Sequence, residues 1–286
     1  MIYGLIAAVG WGLADFLGAV AGRRTGSLPA VILGQAFSAV FITAVVLATD
    51  RSLEALVAIL GLVVLNGIAS ATAYGTHYRG LELGPVAVVS PIGAGYAVVG
   101  VLLAMVFLDE RPSALALTGI VVTVVGVALV STDLPAFLAN IHEPAPGLKW
   151  AITSGVTFGI AGFLLGYLVR DTGDWAVAMF GSRWAMLAAF LPIAVARRRE
   201  FDRLWAAGLA GAGLAVVSGA ADTLGVVSYS FGAERDSVSI ILATSAIFPL
   251  IAVGASHLWL HERLVTNQYV GVGFVVAGLV LLGLGS

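Results

Sequence analysis

Residues 66–84 read NGIASATAYGTHYRGLELG, and residues 218–236 read SGAADTLGVVSYSFGAERD. A shift of 152 residues superimposes the two stretches, and the match continues without a gap to Leu129. Matches among Ala, Val and Gly arise easily in such a chain, so the match of Glu82 to Glu234 carries more weight. The chain therefore contains an internal repeat.

The repeat lies in a strongly apolar chain. Of its 286 residues, 60% are hydrophobic and 10% charged, and the mean hydropathy is +1.04. A soluble domain has about 25% charged residues. The absence of cysteine excludes disulfides and Cys-ligated metals. A net charge of -2, with no basic run beyond 197–199, argues against a nucleic-acid partner. These properties indicate an integral membrane protein.

Apolar runs predict the membrane spans, because a helix needs about 20 mostly apolar residues to cross the hydrocarbon core. The chain has ten such runs, which indicates an all-α membrane protein with ten transmembrane helices. A β-barrel would show shorter alternating segments. The runs are 2–22, 30–48, 55–78, 85–108, 113–131, 148–169, 175–196, 204–231, 237–260 and 266–284.

The repeat and the spans together predict an inverted architecture. Each half has five spans, an odd number, so the second half crosses the membrane with opposite polarity. We expect five-helix units at 1–132 and 148–286, joined by a linker at 133–147. Inverted repeats are typical of secondary transporters, whose substrate site lies near mid-membrane between the halves. In this architecture we also expect breaks in the fourth span, at Pro91 to Gly95, and in the ninth, at Pro249.

Leu108-Asp109-Glu110-Arg111, followed by a Gly-spaced apolar helix, resembles the signature between helices four and five of the drug/metabolite transporter superfamily, EamA type. Leu260-His261-Glu262-Arg263 is similar to its second copy. The resemblance covers the chain and implies two five-helix units that export amino acids, other metabolites or drugs. We expect Glu110 and Glu262 each to cap the start of the following helix.

Charged residues inside a membrane are costly and usually functional. Asp15, Arg183 and Asp222 lie deep in predicted spans. Either acid can bind a substrate ammonium or a proton, and Arg183 can bind a carboxylate. The alternative is a structural ion pair between Arg183 and one of the acids. Small multidrug transporters, more distant members of the superfamily, also place an acid in helix one, and this resemblance implies a similar role for Asp15.

Two polar stripes are related by the same 152-residue shift, and each follows the spacing of one helix face. Such stripes suit a shared cavity, although Asn and Ser also join helices by hydrogen bonds. Aromatic rings can add stacking or cation–π contacts. The predicted substrate-binding residues are Trp11, Asp15, Asn66, Ser70, His77, Tyr78, Arg183, Trp184, Ser218, Asp222 and Tyr229.

The sequence predicts a secondary transporter that exports a small polar or zwitterionic metabolite, an amino acid or related amine, across a bacterial inner membrane. A rival within this class is a proton-coupled exporter of hydrophobic cations. Expected partners are the substrate, the bilayer and a coupling proton; a monomer suffices. No enzyme motif, metal site or cofactor site is predicted. Orientation stays open: the basic joints favour both termini outside, whereas the resemblance implies an inward N-terminus.

Overall fold

The computed structural model describes residues 1–84, 86–131, 135, 146–252, 254 and 265–285. The second signature copy, with Glu262, and most of the linker at 133–147 lie outside these residues. All regular structure in the described part is helical, in agreement with the predicted all-α class.

The helices of the first half correspond to the first five predicted spans. They are α1 (Ile2–Thr25), α2 (Ser27–Ala48), α3 (Glu54–Ala58), α4 (Leu60–Leu83), α5 (Val86–Ala94), α6 (Tyr96–Phe107) and α7 (Ala114–Ser131). The third span thus begins with a separate short helix, and the fourth is divided into two.

The second half has the same order. It consists of α8 (Leu148–Thr172), α9 (Trp175–Ala196), a 3-10 turn (Arg198–Glu200), α10 (Phe201–Arg235), α11 (Val238–Ser245), helical residues 248–252 and α12 (Thr266–Gly285). In the described part, five segments are long and apolar enough to cross a membrane: α1, α2, α8, α9 and Arg198–Arg235. The count of ten spans stays a prediction.

The two expected helix breaks occur at equivalent places. Gly95 separates α5 from α6, and residues 246–247 separate α11 from the next helical turn. The 152-residue shift places Gly95 on Ile247. Pro249 does not itself form the second break, because it lies in the first turn of the resumed helix, where proline loses no helical hydrogen bond.

The two halves are interlocked. Helix α1 packs along α10, and α4 packs along α8, so each half supplies a helix to the other. Helices α7 and α12 cross where a Cβ added to Gly119 would lie 2.8 Å from the Gly278 carbonyl oxygen. Apolar side chains cover the outside: Leu47 is 75% exposed and Val106 is 73% exposed. Such a surface fits lipid.

The helix ends form two faces, named here A and B. Face A joins the ends of the helices near Met1, residues 49–54, 108–113, 170–175 and 235–238. Its contacts include Met1 to Asp236, Arg51 to Asp174 and Arg170 to Glu110. Face B joins the opposite ends, near residues 23–27, 82–86, 146–148 and 197–203. There Arg203 binds Glu82, and Arg23 donates to the Gly84 carbonyl.

Candidate functional site

A cavity lies between the halves at the middle of the bundle. Its open space, including the mouth, is about 800 Å³. Both halves contribute walls, mainly from α1, α4, α8 and α10. The lining side chains include most of the predicted site and several aromatic rings: Trp11, Ala14, Asp15, Ser70, Tyr74, His77, Tyr78, Tyr96, Phe158, Ala161, Leu165, Ser182, Arg183, Asp222, Val226, Tyr229, Leu242 and Phe248, with Gly162.

One polar cluster surrounds Asp15, which is 7% exposed. His77 Nε2 lies 2.9 Å from its Oδ1, and the Ser90 hydroxyl donates a hydrogen bond to its Oδ2. The other ring nitrogen of His77, Nδ1, lies 3.5 Å from the Ser154 hydroxyl. Asp15 is thus paired with the imidazole of His77, and it does not form the ion pair with Arg183 that the sequence analysis considered.

The second polar cluster surrounds Asp222 and Arg183, both at most 3% exposed. Arg183 Nη2 lies 3.2 Å from Asp222 Oδ2, and Arg183 Nη1 donates to Gln35 Oε1 at 2.6 Å. The amide of Gln35 donates to Asp222 at 3.1 Å, and the Tyr74 hydroxyl donates to it at 2.7 Å. The ion pair that the sequence analysis considered for Arg183 therefore forms, and its acid is Asp222.

The charges in the cavity do not balance when His77 is neutral. Asp222 compensates the guanidinium of Arg183, whereas Asp15 then has only neutral partners. Arg183 Nε is buried and has no hydrogen-bond partner among the described residues. The site can therefore accept one further positive charge near Asp15, and it retains a buried donor on Arg183 for an acceptor group.

The aromatic rings connect the two halves. Trp11 packs edge-on against Tyr96, with centroids 6.1 Å apart, and lies 6.0 Å from Tyr229. Tyr96 stacks on Phe248 at 6.3 Å, and these two residues are equivalent under the 152-residue shift. This pair therefore lies where the two broken helices meet on the pseudo-two-fold axis.

The stripes on α4 and α10 are only partly directed into the cavity. Ser70, His77, Asp222 and Tyr229 line it, with Tyr78, Trp11, Asp15 and Arg183 from the rest of the prediction. Three predicted residues do not line it, and they are Asn66, Ser218 and Trp184.

These three residues have other contacts. The Asn66 amide donates to the Ala161 carbonyl at 2.8 Å, and Ser218 donates to the Ala14 carbonyl at 3.0 Å. Both bonds join helices from opposite halves, as the alternative reading of the stripes expects. Trp184 is 44% exposed on the outer surface and donates to Thr43 Oγ1 at 3.0 Å.

Sequence reasoning missed Gln35 and Ser90, which complete the two clusters. Gln35 is fully buried and lies eight residues after Ser27, at the start of α2. Arg183 lies eight residues after Trp175, at the start of α9. A polar residue at matching places of two equivalent spans was the available signal. Ser90 had none, because a single Ser in an apolar span is common.

Glu110 caps a different helix from the expected one. Instead of the following α7, its carboxylate accepts the backbone N–H groups of Val238 and Ser239 at the start of α11, each at 2.9 Å. Ser237 donates at 2.7 Å, and Arg170 pairs with it at 2.7 Å. Glu110 caps α11 and not α7 because the inverted fold brings the start of span nine to this joint on face A.

The same contacts set the acidity of Glu110. Burial raises the pKa of Glu110, but hydrogen bonds from Ser239 and Ser237 and from the backbone of Val238 outweigh burial and hold the pKa below its usual value. At neutral pH the cap is thus an anion. It connects the first half to two helices of the second.

The described residues contain no group of three or more His, Cys, Asp or Glu that could hold a metal ion. A comparison with protein families matches the EamA-like transporter family over residues 1–132 and 145–284. A comparison with curated proteins gives no significant match. One crystal structure of a protein is similar in fold, with a TM-score of 0.73 at 17% identity, and the match covers 99% of this chain and 96% of that one.

Proposed function

Since the chain belongs to the EamA-like transporter family, whose members are membrane transporters, we propose that it exports a small polar or zwitterionic metabolite by alternating access. The substrate class is an amino acid or a related amine. The observation that carries the proposal is the cavity between the halves, in which Asp15 lacks a fixed cation while Arg183 already has an anion.

Asp15 is the position for the substrate ammonium. Among the described residues its carboxylate contacts His77 Nε2 and accepts a hydrogen bond from the Ser90 hydroxyl, so an ammonium can join it without displacing a permanent charge. Such a charge-assisted bond is shorter and stronger than one between neutral groups. A protonated His77 would itself be the cationic partner of Asp15. A substrate ammonium and the proton on His77 would therefore compete for this carboxylate.

Arg183 is the position for a substrate carboxylate. Its Nε donor is buried and has no hydrogen-bond partner among the described residues, while Asp222 and Gln35 hold its Nη atoms. A carboxylate there would share the guanidinium with Asp222 rather than replace it. Before substrate binds, these contacts orient Arg183, and Asp222 balances its charge. Both effects limit the cost of burying the guanidinium.

The aromatic wall suits an apolar or cationic side chain. Trp11, Tyr96, Phe158 and Phe248 line the cavity, and their faces attract both apolar groups and cations. The breaks at Gly95 and at residues 246–247 are the places where each half can change direction during alternating access.

A second candidate is the proton-coupled export of hydrophobic cations. The charge imbalance favours it, because the described lining of the cavity holds two acids, Asp15 and Asp222, and one permanent base, Arg183. In this alternative Asp15 would bind the proton and the cation in turn, and Arg183 would only orient Asp222.

Flux into proteoliposomes tests both candidates. We would compare radiolabelled leucine with tetraphenylphosphonium, each with and without a pH gradient. Saturable leucine flux supports the amino-acid proposal. Gradient-driven flux of tetraphenylphosphonium alone supports the second candidate and overturns the first.

Variants then test the site itself. Asp15→Asn and Asp222→Asn should each lower flux at least tenfold, whereas the matched control Asp109→Asn, which alters an acid on face A with an 81% exposed side chain, should not. Unchanged flux in both cavity variants would overturn the site assignment. We further propose that the protein lies in the bacterial inner membrane and functions as a monomer, with units at 1–132 and 148–286.

A further inference from the structure

Face B carries a basic and aromatic segment at the start of α10. It begins with Arg197 to Arg199 and continues to a kink at Gly208, whose backbone has φ +60° and ψ −159°. This left-handed backbone interrupts the helix, so the segment runs in a different direction from the rest of α10. No atom lies within 4 Å of a Cβ built at Gly208, so packing does not explain the kink.

The segment has two kinds of surface. Leu204 is buried against the bundle, whereas Trp205 is 76% exposed and Leu209 is 93% exposed. The side chains of Arg197 to Arg199 and Arg203 are exposed beside them. Exposed Trp with neighbouring arginines is typical of a segment that lies at the membrane–water interface.

The two faces differ in charge. Among the described residues, face B has eight bases and three acids, whereas face A has four bases and eight acids. The bases of face B are Arg23, Arg24, Arg79, Lys149, Arg197, Arg198, Arg199 and Arg203; those of face A are Arg51, Arg111, Arg170 and Arg235. Outside the joint at 197–203 each face has four of these bases, so the excess of bases on face B comes from this joint.

Ion pairs sharpen the difference. Each of the four bases of face A binds an acid on that face: Asp174, Asp109, Glu110 and Glu234 respectively. On face B, Arg198 and Arg199 have no acid within 4.0 Å in the described part of the chain. Their charges therefore remain available to anions outside the protein.

We infer that the segment from Arg197 to Trp205 binds the anionic phospholipid headgroups of the cytoplasmic leaflet. Arginine charges close to an anionic surface attract it, and Lys and Arg accumulate on the cytoplasmic side of membrane proteins. Face B is therefore the cytoplasmic face, and face A, with Met1 and Gly285, lies on the other side. This orientation agrees with the preference of the basic joints and differs from the inward N-terminus that the family resemblance implies.

Lipid selectivity tests the binding surface. Doxyl-labelled phosphatidylglycerol and phosphatidylcholine are added in turn, in trace amounts, to phosphatidylcholine bilayers that contain the protein. The difference between wild type and Trp205→Phe isolates quenching of Trp205. We expect stronger quenching by the anionic lipid.

The triple variant Arg197→Gln/Arg198→Gln/Arg199→Gln should lose that preference, by roughly fivefold for each base at low salt. Arg111→Gln on face A is the matched control, because its side chain is 84% exposed, and it should keep the preference. Equal quenching by the two lipids in wild type, or an unchanged preference in the triple variant, would overturn the lipid site.

Thiol labelling tests the orientation. The chain has no cysteine, so Ser52→Cys on face A and Asp202→Cys on face B each introduce a single exposed thiol. With a membrane-impermeant maleimide on intact cells, we expect labelling of Ser52→Cys, and labelling of Asp202→Cys only after permeabilisation. The reverse pattern, or labelling of both in intact cells, would overturn the orientation. Neither result depends on the transported substrate.

Discussion

The Tyr229 hydroxyl donates a hydrogen bond to the carbonyl of Gly162 at 2.7 Å, at the place in the second half where His77 meets Asp15 in the first. The stretch GLADFL at 12–17 corresponds to GIAGFL at 159–164, so Gly162 stands where Asp15 stands. The two halves therefore keep the contact but not its chemistry. A neutral pair suffices to hold these helices together, which indicates that Asp15 and His77 are present for another purpose.

Replacing His77 with the residue of the second half tests that purpose. In His77→Tyr, a hydroxyl can still donate to Asp15, so we expect a folded protein. Histidine can become a cation beside Asp15, whereas tyrosine cannot. Between about pH 5.5 and 8, transport by the variant should therefore depend less on pH than transport by wild type.

Flux measured across this pH range is the readout. Ser90, Ser154 and Phe158 contact the pair. Tyr74, Tyr78, Asp222 and Arg183 line the same cavity. The control is Trp184→Phe, which lies outside the cavity and should retain the pH profile of wild type. Identical profiles for wild type and His77→Tyr would contradict a role for the charge of His77 in transport.

The Arg183–Asp222 pair makes a prediction about stability. Arg183→Met leaves the Asp222 carboxylate buried with only Gln35 and Tyr74, and breaking one partner of a buried ion pair costs about 3–5 kcal/mol. Arg183→Met/Asp222→Asn removes both charges and should recover most of that loss. Thermal unfolding of the detergent-solubilised variants measures both effects. A double variant as unstable as the single one would show that packing, not charge, sets the cost.

The Glu110 cap predicts a pH dependence. Because the folded pKa of Glu110 is depressed, its stabilisation is present above the unfolded-state pKa of about 4.3 and is lost as pH falls through the folded pKa. Glu110→Gln should cost about 1 kcal/mol at neutral pH. The melting temperatures of wild type and Glu110→Gln should converge as the pH falls below about 4. A constant gap at all pH values would contradict the charged cap.

The α7–α12 crossing predicts different outcomes for two glycines. A Cβ at Gly119 would lie 2.7 Å from the Leu282 backbone nitrogen, whereas a Cβ at Gly213 in α10 would meet no atom within 4 Å. Gly119→Ala should therefore destabilise the protein by about 1–3 kcal/mol. Gly213→Ala, the matched control, should be neutral or stabilise it by up to about 1 kcal/mol. Comparable melting temperatures for the two variants would contradict the close crossing.

Much of the fold follows from the sequence. Length and apolarity of the runs predict the helices, and the shift that joins Glu82 to Glu234 predicts the repeat. Both signals are local or periodic, and hydrocarbon leaves the backbone few alternatives to a helix. The cavity acids were also predictable, because a charge in an apolar run is conspicuous by itself.

The partners of those residues were not predictable. Asp15 pairs with His77 rather than Arg183, and Glu110 caps α11 rather than α7, although nothing in the local sequence distinguishes these choices. No sequence signal marked Ser90, and only its position matching that of Arg183 marked Gln35. Trp184 faces outward one residue after Arg183. The reason is physical: apolarity fixes that a segment is a helix, but its rotation and its neighbours depend on packing among helices far apart in sequence. Burial of a charge then selects the partner that this packing brings within hydrogen-bonding distance.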